Sequence, residues 1–397
     1  MTRRTMAPAV AAMGLLATWP ATMNSQPRTR ESNAARVLRV GPGRELARPS
    51  QAARVASDGD TVEIDAAVYE GDVATWRADH LTVRGVGGRA RLRAAGQAAE
   101  DKAIWVIRGR NNVVEDVEFS GTRVPGRNGA GIRQEGADLT IRRCLFHDNE
   151  NGVLLGGGPD SETLIEDSEF AENGAGDGRS HNIYIVAVRR LVLRGSYVHH
   201  ARIGHNVKSR ARETVIAGNR IVDEATGTSS YAIDLPNGGA AYIIGNVVQK
   251  GPRAEHRRMV AYGAEGIRHP VNELYLVNNT LVNDRGLGGV FVAVWSRSAP
   301  VRLVNNIFGG RGTVLSGGRG DLTHNLVARQ PGFLDAASYD YRLRPDSPAI
   351  DAGVDPGSAN GVDLAPRFEY AHPARRAPRP TAGAIDIGAH EYGPARP

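Results

Sequence analysis

A short strand-like unit returns through most of this chain, and that return limits the fold more than any other feature. Leu-Thr-Val-Arg-Gly-Val at 81–86 and Leu-Val-Leu-Arg-Gly-Ser at 191–196 are two copies. Further copies end at residues 117, 144, 168, 219, 246, 279, 306 and 325, in steps of 19 to 33 residues. A unit this short cannot bury an apolar face alone, so units stack and share one core. Apolar positions alternate within each copy, which is the period of a strand. With 48 glycines and 6% aromatic residues the chain suits many turns and small side chains. The expected fold is all-β, a solenoid of short parallel strands.

The last five copies end in Asn219, Asn246, Asn279, Asn306 and Asn325. Asparagines at one position of stacked coils can bond the coil above and below as an amide ladder. Their repetition marks them as structural. Cys144, the single cysteine, allows no intramolecular disulfide and is expected in the core.

A second strand recurs at 131–134, 152–155, 182–185, 206–209, 232–235 and 290–293. Alternation sends Ile132, Val153, Ile183, Val207 and Ile233 inward. Arg133, Leu154, Tyr184, Lys208 and Asp234 then form one outward column, with coils about 4.8 Å apart. His181, Asn182, His205, Asn206, Arg210 and Tyr231 would flank it. Lys208 is unusual: only Lys102, Lys208 and Lys250 are lysines among 49 basic residues. Arginine keeps its proton in proteins, whereas lysine can give it up. His199 and His200 are expected bystanders, and Asn237-Gly238-Gly239 a tight turn. Glu265 and Tyr262 are expected to line the same groove one coil further on.

On coil length, three strands per coil and the asparagine column, the chain resembles the right-handed parallel β-helix proteins of the pectate-lyase-like superfamily over about residues 40–330. That resemblance implies a single-stranded right-handed β-helix. Residues 1–36 read as signal peptide and linker, 37–330 as the β-helix and 331–397 as an irregular C-terminal cap. Residues 49–64 look like the family's opening segment, a helix that covers the open coil end and then the first strand. Residues 346–353 and 386–392 are similar to its closing segment, and 367–380, rich in Pro and Arg, is expected to be a loop.

The superfamily holds lyases, hydrolases and epimerases acting on acidic polysaccharides, and members without known activity. Hydrolysis needs two carboxyl groups roughly 5–9.5 Å apart, and the outward column offers only Asp234. Elimination needs cations for the uronate carboxylate, a base for the C5 proton and an acid for the leaving oxygen. Val-Lys-Ser at 207–209 is similar to the segment that carries the catalytic lysine of the chondroitinase-B/alginate-lyase family. That match implies Lys208 as base; Tyr184, His205 and Arg210, placed beside it by the strand register, are the expected catalytic partners. His181, Asn182, Asn206, Tyr231, Asp234 and Arg133 are the expected substrate-binding residues. Two departures stand out. Asp234 occupies the place of that family's acid arginine, and residues 201–204 replace its calcium-binding acids. Neither proton donor nor metal carries over; no cofactor is assigned, and a calcium ion (Ca2+) stays an open option. The expected activity is a lyase working by β-elimination. A uronate C5-epimerase and a non-catalytic glycan-binding or scaffold protein are the alternatives.

Charge adds little. Residues 1–36 carry +4 of the formal +6, which leaves +2 for the rest and no case for nucleic acid. Arg3, Arg4 and the apolar stretch from Ala7 read as a secretory signal too short to span a bilayer. The expectation is a periplasmic or secreted monomer whose partner is an acidic polysaccharide.

Overall fold

The computed structural model describes residues 35–393, so the expected signal segment lies outside the described residues. Three parallel sheets of twelve, ten and eleven strands run the length of the molecule. Each coil adds one strand to each sheet, and neighbours are consecutive coils, as the repeat requires. The bore holds one continuous apolar core from Val40 to Phe308. Ile132, Val153, Ile183, Val207 and Ile233 are all fully buried in it. Phe119, Phe146 and Phe170 stack there on successive coils, with ring centroids 4.9 and 4.8 Å apart. Each such ring removed from water contributes about 1.5–3 kcal/mol.

The repeated asparagines sit at one corner of the coil. The residue before each is left-handed: Gly218, Gly245, Asn278, Asn305 and His324 have φ between 50 and 64°. Gly and Asn adopt that region at little cost, which explains the recurring Gly-Asn and Asn-Asn pairs. After this bend the amide side chain turns inward. Asn219 Nδ2 donates to Asn246 Oδ1 at 2.9 Å, and Asn246 to Asn279 at 2.9 Å. Asn279 donates to Asn306 at 3.0 Å, and Asn306 to Asn325 at 2.9 Å. The column continues toward the N-terminus with hydroxyls: Ser196 N–H donates to Asn219, and Ser168 N–H to Ser196 Oγ. Cys144 ends it, buried as expected, and burial pushes its thiol up to about 12.

Helix Pro49–Val55 lies over the first coils, with Ala52 buried against them. One strand, Val37–Val40, precedes it and pairs with Thr61–Asp65, so the helix follows the first strand. Beyond residue 331 the chain runs back along the outside of the coils in three antiparallel hairpins. Phe333, Tyr341, Leu343 and Ile387 pack on Val247, Val282 and Ile307. The expected loop at 367–380 is corrected: Phe368–Ala371 pairs with Arg375–Pro378. Arg376 of that hairpin is tied to Glu166 at 3.1 Å and Asp167 at 3.0 Å. Among the described residues, no helix is long and apolar enough to cross a membrane.

Candidate functional site

The ten-stranded sheet carries the outward column in the expected register. Arg133 pairs with Leu154, Leu154 with Tyr184, Tyr184 with Lys208, and Lys208 with Asp234. Parallel strands without a bulge keep like positions side by side, so three functional side chains meet from three coils. Lys208 Nζ lies 3.4 Å from Asp234 Oδ2 and 3.2 Å from Glu265 Oε1. It also stands 5.7 Å from the centroid of the Tyr184 ring. Arg210 follows two residues on. Its Nε donates to Tyr184 Oη at 3.3 Å and its Nη1 to Asn237 Oδ1 at 2.6 Å. The same guanidinium grips Glu265 with two prongs, at 2.7 and 3.0 Å.

Burial sets the electrostatics. Asp234 is almost wholly enclosed, which pushes its carboxyl up to about 6 although Lys208 opposes the shift. Its Oδ1 has no hydrogen-bond partner. Glu265 is half exposed and goes the other way: its hydrogen bond from Arg210 holds it below the usual carboxylate range. The two carboxylates thus differ in their readiness to hold a proton while sharing one ammonium.

The histidines depart from their expected role. His181 and His205 are buried and stacked, 4.6 Å apart and 10° from parallel. Tyr231 continues the stack 4.9 Å beyond His205 and lies at the edge of the groove. His181 Nδ1 accepts the His205 backbone N–H, and His205 Nδ1 accepts that of Tyr231, at 3.0 and 3.1 Å. The ring hydrogen therefore sits on Nε2, which His205 directs at Asp234 Oδ2, 3.4 Å away. Burial drives both rings toward neutrality, His181 to about 3 and His205 well below its usual value. His205, expected as a catalytic partner, is a buried neutral donor to Asp234, and His181, expected to bind substrate, is corrected to a support beneath it.

Asn182 and Asn206 are corrected as well. Both are fully buried and belong to a second amide ladder. Asn149 donates to Asn173 at 3.1 Å, Asn173 to Asn182 at 2.8 Å and Asn182 to Asn206 at 2.8 Å. Neither can reach a ligand in the groove. Arg133 lies two coils from Tyr184 and pairs loosely with Glu135, at 4.0 Å, outside the cluster. Tyr262 points into the bore, where its hydroxyl donates to Gly239 O at 2.7 Å. His199 belongs to the eleven-stranded sheet and faces Glu169, away from the groove. Asn237, read as a turn residue, proves to be a ligand of Arg210.

Calcium does not fit this arrangement. The available carboxylates, Asp234 and Glu265, face the Lys208 ammonium, whose charge repels a divalent cation. Among the described residues no group of three or more His, Cys, Asp or Glu is placed to hold a metal. A cavity of about 890 Å³ lies elsewhere, between the twelve-stranded sheet and the C-terminal hairpins. Most of its arginines are already paired, Arg194 with Glu166 and Arg367 with Asp363 among them. Neither that cavity nor a second one beside Tyr242 is lined by Lys208, and it is convergent chemistry that singles out the outward face of the ten-stranded sheet at Lys208.

A sequence model described as the right handed beta helix region matches residues 73–248. No curated protein matches the chain in sequence. Among solved structures, pectate lyase Pel9A superposes with a TM-score of 0.65 at 14% identity, over 91% of this chain and 97% of its own. An alginate lyase from Paenibacillus sp. str. FPU-7 reaches a TM-score of 0.45 at 13% identity, over 72% of this chain and 99% of its own. The A-module of an Azotobacter vinelandii mannuronan C-5 epimerase reaches 0.36 at 12% identity, over 70% and 93%. The last two are too far in geometry to support an argument. The fold is a right-handed parallel β-helix of the pectate-lyase-like type.

Proposed function

We infer that this chain acts on an acidic, uronate-containing polysaccharide in the groove at Lys208, by β-elimination. The observation that carries the reading is the convergence of Lys208 and Arg210 on one carboxylate beside the Tyr184 hydroxyl. A uronate carboxylate seated there puts its C5 carbon next to the Lys208 nitrogen. Arg210 spreads the charge that builds on the carboxylate as the C5 proton leaves. Lys208 takes that proton on Nζ, its ammonium having first released one to solvent. The C4–O bond breaks as the C4–C5 double bond forms, and the leaving oxygen takes a proton from Tyr184. A pectate lyase on the same fold supports the substrate class. The basic and apolar residues of the first 19 positions support export to the periplasm or medium, which cell fractionation tests.

The test is an assay over uronate polymers that follows absorbance of the unsaturated product. New absorbance on at least one polymer is expected. Glycan binding without any product leaves a binding module instead.

One observation favours a second reading. Asp234 and Glu265 both lie within 3.4 Å of the Lys208 nitrogen. Their oxygens are then no more than about 7 Å apart, within the upper limit of roughly 9.5 Å for paired carboxyl groups that hydrolyse glycosides. Their opposite protonation tendencies suit an acid and a base. New reducing ends without unsaturated product, lost in Glu265→Gln, would mark a hydrolase.

A further inference from the structure

Glu265 reaches the groove from the loop at 263–272, which joins strand Arg258–Tyr262 to strand Glu273–Val277. The loop is pinned from below. Glu265 N–H donates to Pro236 O at 2.9 Å, and Arg268 N–H to Asn237 O at 3.0 Å. Gly263 and Gly266, at φ of 78 and 88°, allow the bend that turns the acid toward the sheet.

The cations it meets are built differently. Lys208 is fixed by strand register, and its side chain is only 11% exposed. Arg210 is 21% exposed, and Asn237 and Tyr184 hold the plane of its guanidinium. Glu265 itself is 43% exposed and hangs from a loop. A mostly buried pair of cations, fixed by strand register and hydrogen bonds, thus faces a more exposed carboxylate carried by a loop. Both of that carboxylate's oxygens are used, one by Lys208 and Arg210 together and the other by Arg210. This two-pronged geometry matches a planar carboxylate and no neutral sugar group.

We propose that Lys208 and Arg210, the latter held in place by Asn237, form a carboxylate subsite whose resident ligand is the chain's own Glu265, displaced when an external carboxylate binds. The identity of that external group as a uronate rests on the reading above; the subsite itself does not. Displacement by a neutral or esterified sugar would strand two partly buried cations, so the subsite discriminates by charge. A tethered occupant also competes at high effective concentration and weakens every external ligand.

Two measurements on the full chain test this, with wild type and Glu265→Ala side by side at fixed ionic strength. In the first, thermal melts are run with sodium acetate, with acetamide and with sodium chloride. Acetate at about 100 mM is expected to raise the Tm of Glu265→Ala by about 2–4 °C and that of wild type by less than about 1 °C. Acetamide and chloride should move neither. In the second, calorimetry follows binding of a galacturonate trimer and its methyl ester. Glu265→Ala should bind the trimer about tenfold more tightly than wild type, with no gain for the ester. Should Glu265→Ala fail to fold, Glu265→Gln keeps the side-chain length and carries the calorimetric arm. Equal acetate responses in wild type and variant, or a trimer that binds measurably to wild type with an affinity unchanged or lower in the variant, overturn the subsite. An acetate response confined to Glu265→Ala, with no uronate bound by either protein, supports the subsite and removes the polysaccharide reading.

Discussion

His181 accepts the backbone N–H of His205 at its Nδ1, 3.0 Å away, and the two rings lie stacked one coil apart. This contact does for the groove what the amide ladders do for the corners. It satisfies a buried backbone donor and fixes the His181 tautomer, as the Tyr231 N–H does for His205, whose remaining N–H faces Asp234. The wall beneath Lys208 and Asp234 is therefore stiff and uncharged.

A titration follows from that burial. His181 has a folded-state pKa of about 3 against an ordinary 6.5, lowered first by burial and then by Lys208 and Arg210. Below 6.5 the unfolded chain takes up a proton that the folded chain refuses. Its contribution is therefore complete above pH 6.5 and shrinks as pH falls toward 3, by about 1.4 kcal/mol per unit. Asp234 runs the opposite way, because its raised carboxyl takes up a proton in the folded state first, between about 6 and 3.8. Comparing variants isolates the histidine. His181→Phe should be less stable than wild type at pH 7 by about 1–3 kcal/mol, because the His205 N–H loses its acceptor. Urea melts at pH 4.5 should show that gap closed or reversed. A gap of the same size at both values would mean that His181 is free to ionise in the fold.

The ladder makes a separate claim. Asn246 accepts two hydrogen bonds from Asn219 and donates to Ile216 O, Ile244 O and Asn279 Oδ1. Asn246→Ala should cost about 1–3 kcal/mol, since it leaves buried partners unpaired. Any activity at Lys208 should be unchanged. Denaturant melts that overlay those of wild type would contradict the ladder's contribution.

Lys250 offers a third test. It is fully buried, 3.4 Å from an equally buried Asp223. Its ammonium also donates to Ser229 O at 2.8 Å, to Ser229 Oγ at 2.9 Å and to Ser230 O. It thus ties the segment before Tyr231 to the coil. Lys250→Met alone should destabilise by about 3–5 kcal/mol, because Asp223 is left charged and unpaired. The double variant with Asp223→Leu should recover much of that. Chemical denaturation of the three proteins reads the difference, and equal losses in single and double variants would deny the pairing.

The sequence carried the frame of the site and missed its lining. Tyr184, Lys208 and Asp234 were legible because parallel strands of one length, alternating in polarity, leave no freedom of register. The Asn219–Asn325 column was legible because one residue type recurs at one corner. Asn182 and Asn206 were misplaced because their ladder partners, Asn149 and Asn173, break the period: only nine residues separate Asn173 from Asn182. His181 and His205 precede their strands, so alternation does not say which way their rings turn. Glu265 was expected in the groove from its place one coil beyond Asp234, but it sits in a ten-residue loop between strands, and no periodicity records that such a loop folds back onto Lys208 and Arg210.

The remaining test concerns Lys208 itself. If it is the base, Lys208→Arg keeps the fold and a positive charge between Asp234 and Glu265. Guanidinium does not give up its proton, so turnover should fall by about 10²–10⁴-fold. Lys208→Ala should match that loss and also raise the KM for the acidic polymer, because one of two carboxylate partners is gone. If Lys208 only holds substrate, Lys208→Arg should keep most activity while Lys208→Ala loses affinity. The base must then be Tyr184, since His205 already donates from Nε2 and accepts a backbone N–H at Nδ1. Tyr184→Phe would in that case abolish turnover with little change in binding. Measuring kcat and KM for the three variants on one uronate polymer separates the two mechanisms, and full turnover in Lys208→Arg removes the lysine from the base role.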